Sequence, residues 1–228
     1  MTTRIPPELV IFDVDGTLQD TFLWWPDVIR AGVKRFAAQT GIGMAEPSYD
    51  LACSVVGMRD EGVWAPFLPD GEKHRWRDLR AVVLPMEVAV MRSGQSFLFA
   101  GVPELLRALR RLGAKTALAS NCRSTYMAAV REGQGLEVLT DWQFCLDSPG
   151  VSSKADMLAC AFAAANTKHA VMVGDRENDQ GAAQAHGIPF IWRRNQRCTI
   201  SDADAVWEGG VGELLSILGF PEYPGRAP

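Results

Sequence analysis

The sequence predicts an α/β protein: a doubly wound, mostly parallel sheet that carries a helical insertion. Three observations predict it. Leu9-Val10-Ile11-Phe12 is continuously apolar and runs into Asp13-Val14-Asp15-Gly16. A short apolar run closed by a Gly turn reads as a strand buried on both faces. From Gly101 onward, short strand-like runs alternate with helical ones, which implies parallel strands covered by helices on both sides. Between Asp20 and Gln95 no convincing strand is visible, and helical spacing fills much of the interval.

The elements follow in order. The first strand spans about Leu9 to Thr17, including its turn. Asp20 or Thr21 is placed to cap a helix through Trp24, Val28, Ile29, Val33 and Phe36, with Pro26 in its first turn and Gly41 as its stop. Ser48 caps a second helical run, Tyr49 to Val56, ending at Gly57. Pro69-Asp70-Gly71 marks a turn. Glu72 to Leu84 reads as a helix that Pro85 breaks or kinks. After Gly101 come a helix from Pro103 through Leu109, a strand Lys115 to Ser120, a helix Ser124 to Arg131, and a short strand near Gln143 to Leu146. A helix from about Ser153 to Ala165 leads to a strand Ala170 to Val173. The turn 174–179 opens a helix to His186, with Gly187 as its left-handed stop. Strands Ile188 to Trp192 and Ala205 to Trp207, then a helix Val211 to Leu218, close the pattern. Residues 1–19 and 94–228 are therefore expected to form the α/β core, and residues 20–93 a helical cap whose two connections lie close together, as a hinged lid requires.

Bulk composition bounds the function class. The chain has 228 residues, 47% apolar and 22% charged, with a formal charge of −4. That balance offers no electrostatic reason for nucleic acid or an anionic membrane as partner. No apolar run approaches a membrane span, and the start of the chain leads straight into the first strand, with no room for a signal peptide. The five cysteines (53, 122, 145, 160 and 198) are odd in number and widely spaced. They fit free thiols in a reducing cytosol better than a disulfide frame or a zinc site. A cytoplasmic protein, monomeric or homodimeric, is expected.

Three stretches carry candidate chemistry beside the first. Asp13 and Asp15 share a face if the strand persists to Asp15; if it ends earlier, the turn decides. Two such carboxylates at a sheet edge repel each other unless a cation or a shared proton relieves them. Ser120-Asn121 follows a strand, where a hydroxyl is well placed to reach a phosphate oxygen, although Ser and Asn are also ordinary turn residues. Lys154, one of five lysines, opens a helix, where the macrodipole opposes a cation. It is either solvated or neutralising a nearby carboxylate or phosphate. Gly174-Asp175-Arg176-Glu177-Asn178-Asp179 follows another buried strand. Its Asp175 and Asp179 suit Mg²⁺ as hard oxygen ligands, with Asp179 alternatively a helix N-cap and Glu177 solvated.

The order of these stretches is more specific than any one of them. The string Asp13-Val14-Asp15-Gly16-Thr17-Leu18, then Ser120-Asn121, then Lys154, then Gly174-Asp175 with Asp179, resembles a haloacid dehalogenase-like hydrolase. The subgroup it is similar to carries a helical cap after the first motif, as in phosphoglycolate phosphatase and β-phosphoglucomutase. The segments 99–106 and 182–189 resemble that subgroup too. The resemblance implies a Rossmann-like core and an Mg²⁺-dependent phosphatase acting on a small phosphorylated metabolite. It implies Asp13 as nucleophile and Asp15 as acid and base. Thr17 would orient the loop, and Ser120, Asn121 and Lys154 would bind the phosphoryl group. Mg²⁺ would be held by Asp13, the backbone carbonyl of Asp15, Asp175 and Asp179, the last as ligand or as an anchor through water.

The second Asp favours phosphate esters over carbon–halogen bonds, because a poor oxyanion leaving group needs a proton. A phosphomutase or a phosphonate hydrolase are the alternatives; the latter uses a cap lysine in this family, and Lys34 and Lys73 are the cap lysines here. A phospho-aspartate receiver domain also combines acids, a hydroxyl and a lysine, but lacks the helical insert and the second Asp. The family's specificity loop falls at Gly57-Met58-Arg59-Asp60, where Arg59 is either an anion binder for a phosphosugar or carboxylated substrate or an exposed loop residue. Trp24, Trp25, Trp64 and Trp76 either line the cleft or fill the cap. Cys122 is an oxidation liability beside the phosphate loop.

Overall fold

The computed structural model describes residues 5–195 and 198–221. The stretch before residue 5, on which the expectation of no leader rests, lies outside the described residues. Six strands form one sheet: β1 (Leu9–Phe12), β2 (Lys115–Ala119), β3 (Trp142–Phe144), β4 (Ala170–Gly174), β5 (Phe190–Arg193) and β6 (Ala205–Trp207). Their order is β3-β2-β1-β4-β5-β6, and every neighbouring pair is parallel. The chain builds outward from β1 on one side, then returns to β4 on the other. That reversal opens a crevice at the carboxyl ends of β1 and β4, where open α/β sheets bind ligands.

β1 shows why the sequence folds this way. Leu9 and Ile11 pack into one apolar cluster, Val10 and Phe12 into the other, and all four are fully buried. Alternating side chains of a central strand must satisfy two cores at once, so the run is apolar at every position. Each such side chain contributes about 1.5–3 kcal/mol by burial.

Between β1 and β2 lie α1 (Trp25–Thr40), α2 (Tyr49–Ser54), α3 (Glu61–Trp64), α4 (Trp76–Met91) and α5 (Val102–Arg111). After β2 come α6 (Ser124–Gly133), α7 (Lys154–Ala165), α8 (Glu177–His186) and α9 (Val211–Ile217). α1 to α4 are the helical cap inserted into the Rossmann-like core. The chain enters and leaves it side by side: Asp20 N donates to Phe97 O at 2.8 Å, and Phe99 N to Leu18 O at 2.9 Å.

Some expectations needed correction. Neither Asp20 nor Thr21 caps α1, which starts at Trp25 after a 3-10 turn over Thr21–Leu23. The Thr21 hydroxyl is instead committed to Asp15, 2.6 Å away. Pro85 does not end α4. It is exposed, while Leu79, Val83 and Met91 on either side of it are fully buried, so packing outweighs the roughly 3 kcal/mol cost of the missing helical bond. Residues 70–75 are 3-10 rather than α-helical. The four-residue α3 is too short for its periodicity to show. Ser48 does cap α2, accepting from Leu51 N at 3.1 Å.

Candidate active site

β1 ends at Phe12, so the turn, not the strand, aims Asp13 and Asp15. Asp13 N donates to Val173 O at 2.9 Å, which ties this turn to the end of β4. Gly16 has φ +87°, and a Cβ there would lie 2.5 Å from Asp175 Oδ2. Glycine is needed for both the left-handed turn and the close approach of the two motifs. Gly174 makes room beneath Asp179 by lacking a side chain: a Cβ there would collide with the Asp179 carboxyl. Thr17 Oγ1 donates to Asp175 Oδ1 at 3.2 Å, and Asn195 Nδ2 to Asp175 Oδ2 at 2.7 Å.

Lys154 is the first residue of α7, after the N-cap Ser153, and is 5% exposed. Its Nζ donates to Asp13 Oδ1 at 2.7 Å and also to Asp179 Oδ1. Burial pulls this ammonium down, but the charges of Asp13 and Asp179 outweigh it and hold it above the usual lysine range. Asp179 does two jobs. Its Oδ2 accepts from the backbone N–H groups of Asp175 (3.1 Å) and Arg176 (3.0 Å) at the start of α8, while Oδ1 holds the lysine.

Oxygens of Asp13, Asp175 and Asp179 all lie within 4.8 Å of one another. Burial pushes all three acids up, Asp179 to about 6 and Asp175 well above the carboxylate range; Lys154 opposes this at each. One ammonium among three buried carboxyls leaves negative charge unmatched. A hard oxygen set of this kind fits a small divalent cation.

Asp15 is half-buried. Its Oδ1 accepts from Thr21 Oγ1 (2.6 Å) and Tyr126 OH (2.8 Å), with Gln19 Nε2 3.3 Å away. Burial raises its pKa against those hydrogen bonds, and burial, then the Asp15 charge, raises the Tyr126 phenol well above its ordinary value, so the phenol stays a donor. Ser120 lies just past β2, with Oγ accepting from Cys122 N at 3.3 Å.

A cavity of about 90 Å³ separates cap from core. Asp15, Ser120, Asn121 and Tyr126 line its core side; Trp24, Trp25 and Trp64 line its cap side, with Arg80, Leu84 and Glu87 of α4. Those three α4 residues share one helix face by their spacing of four and three. Trp76 is buried in the cap away from this lining. Glu87 is 8% exposed and has no hydrogen bond or ion pair among the described residues. Burial first, then the Asp15 charge, pushes it up to about 8 against the pull of Arg80. Trp24 Nε1 is likewise buried without a partner. Cys122 also lines the cavity, and burial holds its thiol far up. The five cysteines are free thiols.

The cap loop is fastened to the core. Asn121 Nδ2 and Asn178 Nδ2 both donate to Gly57 O at 3.0 Å, and Arg123 grips Asp60 through two nitrogens. Arg59 is exposed and lies outside the main cavity. Its Nη2 donates to Ser152 O at 2.6 Å, and it borders a second hollow with Asn121 and Lys154. Gln19, Tyr126, Arg80 and Glu87 were not singled out from sequence. Glu87 had a signal, being the lone charge in Ala81–Met91; Tyr126 had none.

A family model of haloacid dehalogenase-like hydrolases matches residues 7–187. The chain belongs to that family. Tyrosine-protein kinase PtkA of Mycobacterium tuberculosis and of Mycobacterium bovis is 32% identical over 190 residues, covering 81% of this chain. The chain spans only 61% of those relatives' length. Among solved structures, CbbY from Rhodobacter sphaeroides in complex with phosphate has TM-score 0.67 and 21% identity, covering 89% of this chain and 94% of its own. A protein from Haemophilus somnus described as a predicted phosphoglycolate phosphatase has TM-score 0.74 and 18% identity, covering 92% and 97%. At these identities the structures speak for the fold alone. Among the described residues, no helix of this hydrolase is long and apolar enough to cross a membrane.

Proposed function

We propose that the chain is a phosphatase that hydrolyses a small phosphate monoester through an aspartyl phosphate on Asp13. The observation that carries this reading is the interlocked cluster: Asp13 held through Oδ1 by Lys154, facing Asp175, with Asp15 beside it on the cavity. Asp13 attacks phosphorus in line, and the bond to the leaving oxygen breaks with its electron pair. Asp15 protonates that oxygen, then takes a proton from the water that attacks the phosphoenzyme. Lys154 and the Ser120 hydroxyl steady the charge on the phosphoryl oxygens, and Asn121 fastens the loop behind them. The names of the Haemophilus and Rhodobacter structures agree with phosphate-ester chemistry.

Asp13, the backbone carbonyl of Asp15 and Asp175 would hold Mg²⁺. Asp179, which also holds Lys154 and the start of α8, would serve as a further ligand or as an anchor through water. When bound, Mg²⁺ supplies positive charge that offsets the repulsion between an anionic nucleophile and an anionic ester. The cap boundaries 20–93 and a cytoplasmic site of action belong to this same proposal, and the cap's cavity is its leaving-group pocket.

The test is phosphate release from a panel of phosphate monoesters, with Mg²⁺ and with chelator. Release that needs the metal supports the reading. Folded, Mg²⁺-supplied enzyme that releases nothing from any ester overturns it. The likeness to PtkA favours a second reading, phosphoryl transfer from a nucleoside triphosphate to a tyrosine hydroxyl. Radiolabel moving from ATP to protein, without ester hydrolysis, would select it. The cavity between cap and core, partly open to solvent, favours the first reading, since a small leaving group fits beside Asp15 there.

A further inference from the structure

The donors around Asp15, the Thr21 and Tyr126 hydroxyls and the Gln19 amide nitrogen, all face Oδ1; among the described residues Oδ2 receives no hydrogen bond. The arrangement depends on Gln19. Its Nε2 donates to the Tyr126 hydroxyl oxygen at 3.0 Å and lies 3.3 Å from the Thr21 hydroxyl oxygen. A hydroxyl has a single hydrogen. The amide has two hydrogens. With these given to the two hydroxyl oxygens, both hydroxyls turn their own hydrogen to Asp15 Oδ1, while Nε2 stands 3.3 Å from that oxygen with no third hydrogen to give. The reversed amide would draw the same hydrogens toward Gln19 Oε1 and away from the carboxyl.

Gln19 is held firmly enough to impose this order. It is fully buried, its N donates to Val14 O at 2.9 Å, and its O accepts from Gly16 N at 2.8 Å. Tyr126 comes from α6, 111 residues from Asp15 in sequence. Its ring packs beside Trp24 at 6.2 Å between centroids. The amide Oε1 is buried without a partner, so the Nε2 contacts are what tie this side chain down.

A carboxylic acid carries its proton on one oxygen. Two hydroxyl donors on Oδ1 make that oxygen the acceptor and leave Oδ2 for the proton, while the residue lines the cavity. We propose that Tyr126 and Gln19 are positioning residues that fix Asp15 through Oδ1, so that the acid proton sits on Oδ2 toward the leaving oxygen. This rests on the phosphatase reading. In the step concerned, an Asp13 oxygen forms the bond to phosphorus and the ester P–O bond breaks with its pair on the leaving oxygen. The Oδ2 proton moves to that oxygen, and Asp15 is left as carboxylate.

Leaving groups need that proton unequally. An alkoxide cannot depart without it, whereas p-nitrophenolate can. The experiment compares kcat/KM, which reports the phosphorylation step, for p-nitrophenyl phosphate and for the best alkyl phosphate of the panel, in wild type, Tyr126→Phe and Gln19→Leu. The expected loss on the alkyl ester is about 10- to 100-fold, with less than about 3-fold on p-nitrophenyl phosphate. Equal losses on both esters, or none on either, would overturn the assignment. The aryl ester also shows that each variant is folded, and either variant alone carries the test. Wild type that hydrolyses neither ester brings down the phosphatase reading itself, before any variant is compared.

Discussion

The two sides of the cavity are built on opposite plans. On the core side, every acid at the sheet edge is engaged: Asp13 by Lys154, Asp175 by Thr17 and Asn195, Asp179 by Lys154 and two backbone N–H groups, Asp15 by two hydroxyls. On the cap side, the buried Glu87 carboxyl has no hydrogen bond or ion pair among the described residues and feels Arg80 as its only positive charge, and Trp24 Nε1 is buried without a partner. Gln19 Oε1 and Asn121 Oδ1, unpartnered on the core side, are amide oxygens and not acids. Donors on each catalytic carboxyl fix its geometry, which a reacting centre needs at all times. Unsatisfied polar groups are costly in the free protein and are relieved when a ligand supplies the missing partner. The difference teaches that the chemistry is preset in the core, while recognition is left for the substrate to complete beneath α4.

The comparison breaks most sharply at Asp13. Asp13→Asn is expected to lower Mg²⁺-dependent phosphate release by three orders of magnitude or more, on the order of 4 kcal/mol of barrier. Turnover of the best panel substrate measures it, and activity within tenfold of wild type would remove Asp13 from the centre of the account. Lys154→Met tests whether the core side is as interlocked as described. It leaves two buried carboxyls without their shared cation, so unfolding in urea should show a loss of about 3–5 kcal/mol. An unchanged midpoint would mean that the pair contributes nothing to the fold.

Glu87→Gln probes the cap side. The folded protein keeps the Glu87 proton up to about pH 8, whereas the unfolded chain releases it near the ordinary value of 4.5. Between those values the unfolded state binds fewer protons, so rising pH destabilises the wild type, by about 1.4 kcal/mol per pH unit at most. The variant lacks this slope. Its thermal midpoint should pull ahead of wild type progressively from pH 5 to pH 8; a constant gap would show that Glu87 is not a buried, unpartnered acid. The smallest effect belongs to Arg59→Ala. With an exposed side chain and one carbonyl partner, it should change stability by less than about 1 kcal/mol and KM by less than about 3-fold. A large rise in KM would move Arg59 into the substrate pocket after all.

What the sequence made legible follows the same division. Buried strands that run into acids are readable because a two-faced strand must be apolar throughout, so Asp13 and Asp175 stand out where β1 and β4 stop. Lys154 and Asp179 were readable from the order of motifs, although only the fold shows one oxygen of Asp179 on the lysine and the other capping α8. The support of Asp15 was not readable. Tyr126 sits on a helix far along the chain, Gln19 carries no local signal, and Thr21 reads as a helix cap until tertiary structure joins the three. Pro85 misled by a sound local rule, because burial of Leu79, Val83 and Met91 outweighs one lost helical bond. Glu87 left a trace as a single charge in an apolar run, but its meaning depends on facing a cavity.

The account turns on a covalent step at Asp13, and the most direct measurement is to catch it. Enzyme mixed with Mg²⁺ and its best panel ester, quenched in acid during turnover and digested, should carry a phosphoryl group on the peptide containing Asp13 when read by mass spectrometry. Wild type that turns over rapidly with no phosphoryl group there, or with one on another residue, would contradict the account.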